Sequence, residues 1–215
     1  LLDQLEPEEA LAEVVAGLVM VLTFTLAAGL LTHGGDGDLK TLVIAAVGCN
    51  IAWGLIDAVL YLLGRKTRRS YHARFLRRVQ LAPDADAAQA AIREEWEPIL
   101  LDVAREQDRE RLYGAMRQLA LNAKPPPARL RRDDIMGALA IFILVCATAV
   151  PAILPFLFLR SDWLALRVSN LLLVVLLFLA GYRWGASIDA NPALTGLALV
   201  ALGLALVGCA VALGG

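Results

Sequence analysis

Five apolar blocks alternate with polar stretches along the chain: Val14–Thr32, Thr41–Gly64, Ile135–Leu159, Leu164–Tyr182 and Ala193–Leu213. A helix rising 1.5 Å per residue needs about 20 apolar residues to cross ~30 Å of hydrocarbon. Each block meets that length, so the pattern predicts an all-α, polytopic membrane protein with five transmembrane helices. Ahead of the first block, "EPEEALAEVV" has helical spacing with Pro7 at an early position, which predicts a short amphipathic helix leading into the membrane. "HGGDGDLK" and "RSDW" read as short turns, and "RWGASIDANP" as the link into the last block.

The long polar insert between the second and third blocks has a pattern of its own. In "DADAAQAAIREEWEPILLDVAREQDRERLYGAMRQLALNA", Leu100, Val103, Leu112, Met116 and Leu119 recur at helical spacing, predicting two or three helices. Pro125, Pro126 and Pro127 end the last of these and form a stiff linker. The expected organisation is therefore residues 1–64 with the amphipathic segment and spans one and two, 65–134 as a basic helical insert, and 135–215 with spans three to five.

Composition sharpens this. The chain is 59% hydrophobic and 19% charged, against roughly 45–50% and 25% for a soluble domain, and the excess is segregated into the five blocks. Of 20 Lys and Arg, 16 lie in the insert beside 11 acids, with "RKTRRSYHARFLRR" abutting the second block and "ARLRRDD" the third. The positive-inside bias places the N-terminus and the insert in the cytoplasm and the C-terminus outside. It also accounts for the basic cluster without nucleic acid, and leaves the lipid bilayer, anionic lipid included, as its neighbour. The acids before the first block argue against a cleavable signal peptide. Cys49, Cys146 and Cys209 sit in apolar blocks without metal-ligand spacing and read as small apolar residues. No nucleophile elbow, P-loop or HExxH occurs, so an enzyme is not expected.

Candidate chemistry lies within the spans. Asn50, Trp53, Gly54, Asp57 and Tyr61 fall at i, i+3, i+4, i+7 and i+11, one helix face. Placing a carboxylate mid-span costs about 2.5–3.5 kcal/mol on insertion scales, so Asp57 reads as a cation or proton site or as a hydrogen bond to a neighbouring helix. Glu13, Gly17, Met20 and Phe24 share a face of the first span, where carboxylate oxygen and thioether sulfur together would suit a transition metal. Thr23 and Thr25 can bond their own backbone. Pro151 and Pro155 loosen the third span, and Asn170 lies one turn inside the fourth. Gly196, Gly203 and Ala210, seven apart, permit close helix approach, as a dimer seam or within the chain.

"GLVMVLTFTLAAG" resembles the first span of the vacuolar iron transporter family, and "GALAIFILVCATAVPAILPFLF" its third. "LLFLAGYRWGASIDANPALTGLALVALGLALVGCAVALGG" resembles its last two. The layout of five spans with a cytoplasmic helical insert is also similar, so the chain resembles a divergent, bacterial-type member. The resemblance implies a homodimer in the inner membrane that moves divalent iron or manganese out of the cytosol by proton antiport, with no permanently bound cofactor. It implies an ion path between protomers, lined by acids and Met of the first two spans, on which Glu13 and Asp57 lie; from the residues themselves Met20 is added as a metal ligand and Asn50, Tyr61 and Asn170 as supporting groups. In the insert, Glu94, Glu97, Asp102 and Glu106, with Met116 as a soft partner, read either as a cytoplasmic metal-loading set or as a solvated helix face. Two features depart from the family: no acid lies between Leu18 and Val21, and the helix leaving the second span is Arg-rich, not Glu-rich. These departures suit a second expectation, a non-transporting membrane module whose basic insert binds a protein partner or anionic lipid.

Overall fold

A computed structural model describes residues 7–31, 39–127 and 129–212. Among the described residues there are eight helices and no strand: α1 (Pro7–Leu31), α2 (Leu39–Gln80), α3 (Ala85–Leu100), α4 (Glu106–Asn122), α5 (Arg132–Thr148), α6 (Val150–Phe158), α7 (Asp162–Ser187) and α8 (Pro192–Ala212). Five helical segments are long and apolar enough to cross a membrane: α1, α2, the α5–α6 run, α7 and α8. The chain divides into two compact units, residues 1–61 with 132–215, and residues 62–131.

The first unit holds the apolar helices. α1 starts at Pro7, where the missing N–H costs no helical bond, with Glu8 and Glu9 in its first turn favoured by the helix dipole. The expected amphipathic lead-in is thus not a separate helix but the first turns of the first span. The turn expected over 33–40 falls mostly outside the described residues.

The α5–α6 run breaks at Ala149, and the cause is Pro151, which has no N–H to offer the preceding turn. The chain tightens there: Ala149 N–H reaches Cys146 O at 3.2 Å and Ala152 N–H reaches Ala149 O at 3.1 Å. Ser161 caps α7, its Oγ accepting from Leu164 N–H at 3.4 Å. α7 and α8 are joined by a tight turn in which Asp189 takes a left-handed φ of 53° and Ala190 N–H bonds Gly185 O at 3.0 Å. Asn191 then caps α8, accepting from Leu194 N–H at 3.2 Å, and Pro192 opens the helix.

Helix association in lipid gains little from apolar burial and relies on close packing. α7 and α8 achieve this with glycine. A methyl group on Gly181 would lie 2.8 Å from Gly196 Cα, one on Gly185 2.8 Å from Pro192 Cα, and one on Gly203 2.7 Å from Leu177 Cδ2. The spaced glycines of α8 therefore pack within the chain, which settles that alternative for Gly196 and Gly203. α1 lies against α7 through Leu18, Leu22, Leu173 and Leu177, all buried, with Val207 of α8 in the same cluster.

In the second unit the end of α2 packs with α3 and α4 around Val79, Ala88, Ile92, Tyr113 and Ala120. α2 runs past Gly64, the end of the second apolar block, and carries the Arg-rich stretch as helix to Gln80. "RKTRRSYHARFLRR" contains no proline and is rich in Arg, a good helix former, so nothing in it stops the helix. Asp84 caps α3 by accepting from Ala87 N–H at 2.7 Å. Gln80 Nε2 closes the end of α4, donating to Ala120 O at 2.8 Å and Ala123 O at 2.7 Å.

Candidate functional site

The candidate site lies where α1, α2 and α5 meet, and it is layered along the helices. α1 and α2 run antiparallel here: Glu13 pairs with Asp57, and Met20 with Cys49. In the outermost layer Ala10 and Tyr61 pack on Ala140, Ile141 and Val145. Tyr61 lies so close over Gly137 that a methyl group there would be 2.5 Å from the phenol oxygen. Only glycine leaves room for that ring.

In the next layer the carboxyl groups of Glu13 and Asp57 are close enough to interact. Both residues are half-buried, and Asp57 Oδ2 is buried with no hydrogen-bond partner among the described residues. Two carboxyl groups in such contact repel when both are ionised, so the place between them suits a shared proton or a cation.

One layer further in, Gly17, Asn50 and Thr148 meet. Asn50 is fully buried; its Nδ2 donates to Thr148 Oγ1 at 2.9 Å and to Val145 O at 3.2 Å. Thr148 Oγ1 donates to the same carbonyl at 2.7 Å. The Val145 carbonyl, one turn before the α5–α6 break, thus receives two side-chain donors. Asn50 Oδ1 is left without a partner among the described residues. Gly17 admits Thr148, whose Oγ1 would be 2.3 Å from a methyl group at that position.

Beyond this layer Cys49 Sγ–H donates to Met20 Sδ at 3.8 Å. The carboxyl and sulfur pairs are seven residues apart on α1, or ~10 Å along its axis. Cys49, read from the sequence as a small apolar residue, has as its partner the sulfur expected to be a metal ligand.

The structure therefore brings together Glu13, Asp57, Asn50, Tyr61 and Met20 as successive layers of one helix junction. Trp53 does not belong: it is 43% exposed, while Gly54 faces Val145 and the Phe142 carbonyl. Asn170 lies elsewhere. It sits on α7 next to Ser169, and both Asn170 Oδ1 and Ser169 Oγ are buried without a partner among the described residues. Thr23 and Thr25 do bond their own helix, to Val19 O at 2.8 Å and Val21 O at 3.1 Å. Asp134, passed over in the sequence as one of two acids after a basic run, is fully buried at the start of α5. A run such as "RRDD" at a span edge carries no signal that one of its acids turns inward.

The expected loading set in the insert does not converge. Glu94 pairs with Arg78 at 2.5 Å, Asp102 and Glu106 are exposed, and Met116 packs against the core of the second unit. Among the described residues no three His, Cys, Asp or Glu side chains come together as a metal centre. Tyr71, also in this unit, donates its hydroxyl to Glu95, and that bond raises the phenol above its ordinary range. Compared with protein-family models and with curated proteins, the sequence matches none of them.

Proposed function

We propose that the chain is an integral inner-membrane transporter that moves a divalent transition metal, iron or manganese, out of the cytosol in exchange for protons. The observation that carries this reading is the Glu13–Asp57 pair, two neighbouring carboxyl groups on helices apolar enough to cross a membrane, with a buried Asp57 oxygen that has no partner among the described residues. A proton and a cation would compete for the same place between them, which is the minimum chemistry of antiport. The Met20–Cys49 sulfur pair lies ~10 Å further along the same helices, so a cargo ion would pass from oxygen to sulfur ligands. Sulfur favours transition metals over Mg²⁺ and Ca²⁺.

One chain offers two carboxylates at this level and no third His, Cys, Asp or Glu among the described residues. A cargo ion would complete its shell with water, backbone oxygen or a second copy, which supports a homodimer. The resemblance to vacuolar iron transporters agrees with this reading, with the N-terminus and insert on the cytoplasmic side.

Flux into proteoliposomes tests it, using Fe²⁺, Mn²⁺, Co²⁺, Ni²⁺ and Zn²⁺ on wild type, Asp57→Asn and Glu13→Gln. Saturable flux with counter-moving protons is expected. Each substitution should weaken apparent affinity at least about tenfold, the equivalent of ~1.4 kcal/mol. No flux of any ion from folded, inserted protein would remove the reading.

The second unit favours another function. Leu119 is 73% exposed and borders an apolar groove of about 230 Å³ with Phe75, Leu76, Trp96 and Met116. Arg74 and Arg78 line a polar pocket that shares Phe75. This arrangement suits a module that docks a protein partner, and absent flux together with a partner lost on Leu119→Asp would favour it.

A further inference from the structure

A second groove lies in the first unit, away from the acidic pair. It is an open groove of about 340 Å³ between α1, the α5–α6 run and α7. Leu11 and Leu18 mark its length on α1, and Arg183 and Leu176 on α7, seven residues in each case, or ~10 Å. Its lining is apolar except for Thr148 and Arg183. The Thr148 hydroxyl is engaged by Val145 O and Asn50. Arg183 is the last of the α7 residues that line it, is exposed four residues before the end of α7, and forms no ion pair with a described residue.

A cation at one end of an apolar slot matches an amphiphile with one anionic end. In a span, an Arg so close to the helix end carries its guanidinium to the interface while its stem stays in apolar surroundings. Basic pockets between transmembrane helices select anionic headgroups for that reason. The guanidinium fork also fits a phosphate with two parallel hydrogen bonds, which a zwitterionic headgroup partly neutralises with its own cation.

We propose that this groove holds an acyl chain of an anionic phospholipid whose phosphate is bound by Arg183. The proposal rests on the membrane-spanning reading and not on metal transport, and lipid retention is read without any flux.

Native mass spectrometry of detergent-released protein, with phosphatidylglycerol or phosphatidylcholine added at equal concentration, tests it. The wild type should retain phosphatidylglycerol about fivefold better, the preference that a single interfacial Arg confers. Arg183→Gln should abolish the preference, and Arg183→Lys should restore part of it. Ala147→Trp should lower retention of both lipids, since Ala147 is exposed and lines the slot. Equal retention by the wild type, or an undiminished preference in Arg183→Gln, would overturn the proposal. So would Ala147→Trp leaving retention intact while shifting the monomer–dimer balance, because a second copy would then cover the groove. Arg183 packs in no core cluster, so its substitution decides the matter even if Ala147→Trp does not fold.

Discussion

Gly181→Ala isolates what holds α7 to α8. The added methyl carbon would lie 2.8 Å from Gly196 Cα, 3.0 Å from Leu199 Cδ1 and 3.1 Å from Thr195 O. Carbon atoms pack best at about 3.5–4.0 Å, so α7 and α8 would have to part by roughly 1 Å. Leu199 can rotate, but Gly196 Cα and the Thr195 carbonyl are backbone and cannot. Overpacking of this kind costs about 1–3 kcal/mol. Replacing a helical Gly by Ala also gains up to ~1 kcal/mol of helix propensity, which would mask part of the cost. Gly208→Ala supplies the control, because it makes the same exchange in an apolar helix with nothing within 4 Å of the new methyl. The difference between the two variants is then the clash itself, about 1–3 kcal/mol. For a chain of this length each kcal/mol moves Tm by roughly 2–4 °C. Thermal unfolding in one detergent, followed by intrinsic tryptophan fluorescence, should place Gly181→Ala several degrees below Gly208→Ala. Equal melting temperatures would show that the backbones of α7 and α8 do not touch at this point.

Three further outcomes follow from the same geometry. Asn50→Ala removes two buried hydrogen bonds, each worth about 0.6–1.7 kcal/mol between helices in a membrane, and should lower Tm without altering helix content by circular dichroism. Glu94→Ala breaks an ion pair whose side chains are 60% and 66% exposed, so its effect on unfolding should stay below about 1 kcal/mol. Tyr71 donates to Glu95, and its phenol titrates above its ordinary value of 10.0. The contribution of this bond to stability is fully present below that value and disappears as the pH rises through the shifted one. Ultraviolet absorbance titration should show one tyrosine moving down in Glu95→Ala, and an unchanged titration curve would dispose of the contact.

The spans were legible because their length and polarity are properties of single segments. The ends of α1 and α2 were less so. Gly64 followed by "RKTRR" looks like a boundary, since polarity changes there, yet polarity alone does not end a helix and the backbone continues to Gln80. Helical spacing puts Asn50, Gly54, Asp57 and Tyr61 within about 60° of one another, whereas Trp53 lies a further ~40° to one side and turns outward, while Gly54 takes the contact with α5. Glu13 and Asp57 could each be singled out as costly acids, but nothing local says that they face one another. That pairing depends on the register of α1 against α2. The same holds for Cys49, whose significance comes from Met20, and for Asp134, whose burial depends on how α5 is seated.

The glycine contacts between α7 and α8 also bear on the order in which the chain assembles. Gly185 meets Thr195 and Gly181 meets Gly196, partners only ten and fifteen positions apart. Loop closure over such short separations costs little entropy, and contacts of this kind form early. The junction that carries the acidic pair is different: Asn50 reaches Thr148 across 98 positions, and α1 rests on leucines of α7. During synthesis α1 and α2 leave the ribosome long before the helices they pack against. Glu13 and Asp57 thus precede α5 and α7, the helices that seat their junction, in the order of synthesis.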